Sequence, residues 1–353
     1  MPCGGNAAKI LTAHRVPTRD RRLIFYSTHC AEKGEPMSLK IKGTGYYLPK
    51  KVLTNDDLAG MVDTNDEWIR QRVGIHERRV CTDETTHFMA AQAAKNALDN
   101  AGVDPSEIDL IIASTITGET LSPTVAALVE RELGASCPAF DISSACSGFL
   151  FALDTADAFM RRGTYRNILI VSSERVSKII DWTDRSTCVI FGDGAGACVV
   201  SPGNGYLSSM LFTEGGREVI DIPTFVGTSP FYTGEDKKPV IFMDGQETFK
   251  FAVNHIVHDI SSVVASAGLT MEDIDFIVPH QANVRIIEYA SKRLKLPMEK
   301  FFVNMQLLGN TSSASVPIAL AQLAETGKLK EGMNLALAAF GGGLSSAACV
   351  IRW

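Results

Sequence analysis

The segment GVDPSEIDLII at residues 102–112 returns as GLTMEDIDFIV at residues 268–278, an offset of 166. Asn167-Ile-Leu-Ile-Val171 matches Asn334-Leu-Ala-Leu-Ala338 at 167, and Phe151-Ala-Leu-Asp154 matches Ile318-Ala-Leu-Ala321 at the same spacing. Three matches at nearly one offset imply two similar halves, about 38–205 and 206–353. Within them strand-like and helix-like segments alternate, the pattern of an α/β fold. Ile108–Ala113, Asn167–Val171 and Ile274–Val278 read as strands buried on both faces. Thr64-Asn-Asp-Glu67 reads as a capping box opening a helix that carries Trp68 and Arg72. Ser122-Pro123 supplies an N-cap and a first-turn proline for a helix ended by Gly134. Met333–Ile351 is uncharged and long enough to raise the question of a membrane span. Gly341–Gly343 and Ser345-Ser346 interrupt it, so two buried strands around a turn are expected.

Residues 1–37 stand apart as an N-terminal extension, expected to be disordered. Residues 1–36 carry six Lys and Arg against three acids and lack the apolar region of a secretory signal. A start-site artefact and an organelle transit peptide are the other readings. The formal charge of −6 argues against a nucleic-acid binder with a basic face. The eight cysteines form no Cys-x-x-Cys and no zinc spacing. Cys188, Cys198 and Cys349 lie in apolar runs as reduced core residues, which favours a reducing, cytoplasmic setting. His255 and His258 beside Asp259 have helical spacing but no further ligand nearby, so no metal is expected.

Cys146 falls where the apolar run Pro138–Ile142 gives way to the helical pattern Phe149–Phe159. A thiol at that junction meets free backbone N–H groups and a helix dipole, both of which favour thiolate. The alternative is a small buried cysteine filling a turn. The repeat places its counterpart at 312–313, inside Gly309-Asn-Thr-Ser-Ser-Ala-Ser-Val-Pro317. Strand Ile274–Val278 runs directly into Pro279-His-Gln-Ala-Asn283. Taken singly, His280 and Asn310 fit structural and turn roles as well as chemical ones. If the halves pack about a pseudo-twofold axis, these strand ends converge on one pocket.

SSACSGF around Cys146, PHQAN around His280, GNTSSAS around Asn310 and FGGG at 340–343 resemble β-ketoacyl-[acyl-carrier-protein] synthase III, of the thiolase superfamily. IFGDGAGA at 190–197 and NDEWIRQRVGI at 65–75 fit the same pattern, and the likeness runs over about 38–353. The resemblance implies a thiolase-like fold, two duplicated halves forming a five-layered αβαβα sandwich. It also implies a decarboxylating condensation of a short acyl-CoA with malonyl-acyl carrier protein (ACP), without a cofactor. Cys146 would take the acyl group, and the N–H groups of Cys146 and Gly342 would form the oxyanion hole. His280 and Asn310 would stabilise the charge left by CO2 loss, and Phe340 would crowd the malonyl carboxylate. Trp68 and Arg185 would hold adenine and Arg72 the phosphates of CoA. Lys250, Gln281 and Arg285, with Lys292 and Arg293 nearby, would meet the acidic carrier protein.

The same resemblance implies a homodimer, with neither nucleic acid nor membrane as partner. Leu121 or Ser122 would reach the partner subunit's acyl pocket, where a bulky Phe limits chain length in some relatives. Segment 115–123 is one residue longer than in some of them, so branched or longer starters are expected. Val73 and Ser186 replace the Thr and Gly common beside the CoA-binding arginines. The competing readings are a polyketide- or quinolone-type condensing enzyme of the same superfamily, a Cys-His-Asn thioester hydrolase, and a non-catalytic acyl-carrier-binding protein.

Overall fold

A computed structural model describes residues 24–27 (backbone only), 37–224, 231 and 238–353. The chain runs β1 (Ile24–Ser27), β2 (Ser38–Tyr47), β3 (Lys51–Thr54), α1 (Asn55–Ala59), α2 (Asp66–Val73), β4 (Glu77–Val80) and α3 (Thr86–Ala101). It continues through β5 (Leu110–Ser114), α4 (Val125–Leu133), β6 (Ala139–Ile142), α5 (Gly148–Met160), β7 (Ile168–Glu174), α6 (Arg185–Cys188) and β8 (Gly194–Gly203). Next come β9 (Tyr206–Thr213), β10 (Ile220–Asp221), β11 (Phe242–Met243), α7 (Gly245–Ser266), β12 (Phe276–Pro279) and α8 (Val284–Leu294). The last elements are α9 (Met305–Leu308), α10 (Ser315–Glu325), β13 (Asn334–Gly341) and β14 (Ser345–Arg352).

Two five-stranded sheets result, ordered β2-β8-β7-β5-β6 and β1-β9-β14-β13-β12. Their cores repeat one plan. β7 pairs parallel with β5 and antiparallel with β8, as β13 does with β12 and β14. The counterpart of edge strand β6 shrinks to a single parallel bridge, Ile277 to Phe301. The other edge of the second sheet is taken by β1, antiparallel to β9. So part of the extension expected to be disordered is a strand: Ile24-Phe-Tyr-Ser27 is β-branched and aromatic, and it pairs what would otherwise be an open edge. The rest of 1–36 lies outside the described residues.

Alternation along the strands sorts side chains into layers. Leu110, Ile112, Ile168 and Ile170 share one cluster with Val278, Leu335 and Leu337 of the other sheet, and α5 and α10 fill it with Phe149, Leu153, Val316 and Leu320. The opposite faces, Ile111, Ala113, Leu169 and Val171, pack on α3 and α4. Ile277, Ala336, Ala338 and Val350 pack under α7 and α8. The order is helix, sheet, helix, sheet, helix: the five layers expected. Each central strand is apolar because it is covered twice. Cys188, Cys198 and Cys349 are buried and free.

Two helix starts differ from expectation. α2 is capped by Asn65, whose side chain accepts from the Trp68 N–H at 2.8 Å. Thr64 lies one residue too early to reach that orphan donor. α4 is capped by Thr124, not Ser122, and ends at Gly134 in the left-handed region. In both stretches neighbouring residues are competent caps, and one position decides which is used.

Candidate active site

A cavity of about 240 Å³ lies where the ends of the two sheets meet. Cys146, His280, Asn310, Phe340 and Gly342 all line it. Most of the remaining wall is aliphatic, including Ile116, Val176, Ile190, Ile220, Ile241 and Ile286. Such a wall suits an acyl chain and weakens competition from water for the few polar groups.

Cys146 sits in the short 3-10 turn Ala145–Ser147 that feeds α5. Ala145, just before it, has φ 43°. The second half repeats the device: Ser312 has φ 52° and opens the turn Ser312–Ala314 that feeds α10. A non-glycine residue in that left-handed region is uncommon, and two at matching places mark a constrained turn. Gly341 closes the site from behind. A Cβ built there would lie 2.7 Å from Cys146 Cβ and 3.1 Å from both its N and Sγ, so only glycine fits.

The thiol donates to Ser312 Oγ at 3.5 Å. Burial nevertheless pushes the Cys146 thiol up to about 12, the nearby Glu174 charge adding to the shift against the Ser312 hydrogen bond. The expected thiolate preference is therefore overturned: desolvation outweighs the donors at the helix start.

His280 follows β12 directly. Its N–H donates to Ala338 O at 2.7 Å, and Ser315 Oγ lies 2.6 Å from Nδ1. Burial pushes the imidazole down to about 3, so it is neutral. Phe340 packs edge-on against it, ring centres 5.3 Å apart. Asn310 is held by the Ile190–Gly192 segment: its N–H donates to Ile190 O and its carbonyl accepts from the Gly192 N–H. Its Oδ1 accepts from the Ser312 N–H at 2.8 Å. That bond fixes the amide and leaves its NH2 as the donor.

Glu174, at the end of β7, was not singled out from the sequence. It is fully buried. Its Oε2 accepts from Thr117 Oγ1 at 2.6 Å, the Ile116 N–H at 3.2 Å and Thr115 Oγ1 at 3.3 Å. Its Oε1 accepts from Ser313 Oγ at 2.7 Å and Ser312 Oγ at 3.5 Å. The available signal was a lone acid closing the apolar strand ILIVSSE.

Arg185 and Arg72 lie over the Trp68 ring at 5.2 and 6.0 Å. Val73 and Ser186 line the cavity itself. Arg285 is exposed and lies over Phe249 at 5.7 Å, while exposed Lys250 pairs with Glu247 at 2.6 Å. Gln281 does not belong to this surface, contrary to expectation. It is buried, its NH2 donates to Pro279 O and Phe302 O, and its Oε1 accepts from the Asn304 N–H. A side chain with its amide committed to backbone ties two loops together and has none left for a partner.

Leu121 is 94% exposed and Ser122 is exposed; neither lines this chain's cavity. His258 Nδ1 lies 2.9 Å from buried Asp259, and His255 sits between that carboxylate and Ser346 Oγ. Among the described residues no group of three His, Cys, Asp or Glu is placed to hold a metal ion, and no helix is long and apolar enough to cross a membrane.

Family models match two stretches: 3-oxoacyl-[acyl-carrier-protein] synthase III over residues 140–215, and the C-terminal domain of that enzyme over 264–353. The β-ketoacyl-[acyl-carrier-protein] synthase III of Clostridium acetobutylicum is 45% identical over 324 residues, 90% of this chain and 99% of the relative. The crystal structure of the synthase III from Aquifex aeolicus is 46% identical and superposes with a TM-score of 0.84, over 89% of this chain and 100% of that one. A priming β-ketosynthase from the R1128 polyketide pathway is 36% identical, TM-score 0.84, over 91% of this chain and 98% of that one.

Proposed function

This chain belongs to the 3-oxoacyl-[acyl-carrier-protein] synthase III family, and from that premise we propose how its residues divide the work of starting type II fatty-acid synthesis. The reaction is a decarboxylating Claisen condensation of an acyl-CoA starter with malonyl-ACP, giving 3-oxoacyl-ACP, CoA and CO2. One observation carries the assignment: Cys146, His280 and Asn310, from both halves, line one apolar cavity. We read those halves as duplicated units, 38–205 and 206–353, preceded by the extension 1–37.

Cys146 attacks the acyl thioester, and CoA leaves. The backbone N–H groups of Cys146 and Gly342 receive the oxyanion. Malonyl-ACP then enters. With the Ser315 hydroxyl donating to Nδ1, the neutral His280 carries its proton on Nε2. That donor and the Asn310 NH2 stabilise the enolate formed as CO2 departs, and Phe340 crowds the carboxylate. The enolate attacks the acyl-Cys146 carbonyl. Each step is supplied by side chains and backbone, so the reading needs no cofactor.

Trp68, Arg72 and Arg185 are assigned to CoA; the two guanidiniums over one indole ring support this. Lys250 and Arg285 are assigned to the acidic carrier protein. We propose a cytoplasmic homodimer. β6 is an edge strand that offers unpaired backbone to a second copy, and exposed Leu121 and Ser122 would then reach the partner subunit's acyl pocket. Incubation with acetyl-CoA and either malonyl-ACP or malonyl-CoA tests the reading. A 3-oxoacyl-ACP product, lost in Cys146→Ala, is expected. Hydrolysis of the starter without a malonyl donor, or a product from malonyl-CoA alone, contradicts it.

A further inference from the structure

Glu174 has no part in the division of work above, yet its placement is costly. A fully buried carboxylate gives up its hydration, and here only neutral donors replace it: three side-chain hydroxyls and an N–H within 3.3 Å, and the Ser312 hydroxyl at 3.5 Å. Those donors come from both halves, Thr115–Thr117 after β5 and Ser312-Ser313 before α10. Ser312 also receives the Cys146 thiol. Three groups thus stand in series: Cys146 Sγ, Ser312 Oγ at 3.5 Å, and Glu174 Oε1 a further 3.5 Å on.

Resting on the reading that Cys146 is acylated, we infer that Glu174 accepts and returns the Cys146 proton through the Ser312 hydroxyl. The chemistry requires an acceptor, because half-buried Cys146 gives up its thiol proton as Sγ bonds to the acyl carbon. Asn310 has no basic atom. His280, in the tautomer that serves the enolate, has its Nε2 protonated and its Nδ1 engaged by Ser315. Among the described residues Ser312 Oγ is the hydrogen-bond partner of Sγ.

The proton balance closes over the two half-reactions. As Sγ bonds to the acyl carbon, its proton passes to Ser312, whose own proton passes to Glu174. CoA leaves as thiolate and takes a proton from solvent. In condensation the Cys146–acyl bond breaks, the thiolate recovers its proton from Ser312, and Glu174 returns to carboxylate. Glu174 touches no reacting atom; it is a positioning residue that acts through Ser312. Both links are long, as such links are before substrate tightens a site. Burial lifts the Glu174 carboxyl to about 7, matched to accepting and releasing a proton near neutrality.

Other ionisable groups bear on this carboxyl. Cys146 feels it directly, and it acts on Lys178 in the segment after β7. The Lys178 ammonium is bound to the Thr117 and Gly118 carbonyls and lies 3.9 Å from Glu119. Arg175, Glu119 and Asp193 also act on Lys178. None of these stands between Glu174 and Ser312.

The test is single-turnover acylation of the full-length enzyme by acetyl-CoA from pH 5.5 to 9, followed by intact mass. The wild-type rate is expected to rise with pH and level off with an inflection near 7. E174Q and S312A should each be about 100-fold slower at pH 7 and lose that inflection, and Glu174→Asp should recover part of the rate. S312A removes one hydroxyl while keeping the N–H that holds Asn310, so it carries the test even if E174Q folds poorly. A purely electrostatic role has the opposite sign: removing a charge that disfavours thiolate would make E174Q faster. A faster E174Q, or an unchanged inflection in both variants, overturns the inference while leaving acyl-Cys146 intact. Failure of the wild type to acylate at any pH would instead bring down the reading beneath it.

Discussion

Cys146 Sγ and Ser312 Oγ lie 3.5 Å apart across 166 residues of sequence. Each belongs to the turn that launches the central helix of its own half. The site is therefore built on the seam of the duplication, and its geometry depends on how tightly the halves meet there.

Gly341 is the tightest point of that seam. Gly341→Ala places a methyl group 2.7 Å from Cys146 Cβ. Either the strand or the nucleophile must shift, at a cost of about 1–3 kcal/mol. Acylation should fall by about 100-fold, since displacing a reacting atom by an ångström costs that much. Thermal melting and acyl-enzyme formation by intact mass check both parts.

Asn310 is assigned to the second half-reaction only. Asn310→Asp keeps the oxygen that accepts from the Ser312 N–H but exchanges the NH2 donor for an acceptor. Acyl-Cys146 should still form. Malonyl-ACP decarboxylation and condensation should fall by about 10²–10³-fold, the cost of one donor to a developing anion. Comparable loss in both half-reactions would remove the assignment.

Glu174 should leave a mark on stability. Its folded pKa is raised from 4.5 to about 7 by burial, so between those values the folded state holds a proton that the unfolded chain has released. Its contribution is full below pH 4.5 and is lost as pH rises through 7. Over that window the wild type should lose on the order of 3 kcal/mol relative to E174Q. Urea denaturation of both proteins from pH 4.5 to 8 measures the difference. Parallel curves would mean that the carboxyl ionises normally.

Leu121 is assigned to the partner subunit's acyl pocket. Leu121→Phe should leave acetyl-CoA turnover within a few-fold and reduce isobutyryl- and octanoyl-CoA turnover by about 10- to 100-fold, the scale of pocket discrimination by size. An unchanged preference order would place the residue outside the pocket.

The duplication was legible because buried strands tolerate few residue types: ILIVSSE and NLALAAFG each signal a strand covered on both faces. The same offset paired the Cys146 loop with the Asn310 loop, while His280 came from the end of the strand Ile274–Val278. Helix starts were harder, since Thr64 and Asn65 cap equally well in isolation and only three-dimensional reach selects Asn65. The carrier-protein role that the resemblance implies for Gln281 does not hold here, because the backbone of the neighbouring loops consumes its amide. The state of the thiol is not legible in the sequence, because a strand-to-helix junction shows the dipole and not the desolvation. Glu174 is not legible in the sequence, because a strand-ending acid reads as a turn residue and only the fold closes both halves over it.

The chemistry of this site turns on which residue carries the acyl group. Brief incubation with acetyl-CoA, proteolysis and peptide mass spectrometry would locate it. One acetyl mass is expected on the peptide containing Cys146, absent in Cys146→Ala and discharged by malonyl-ACP. An acetyl group elsewhere, or one that malonyl-ACP leaves in place, would rule out Cys146 as the acyl carrier of the condensation.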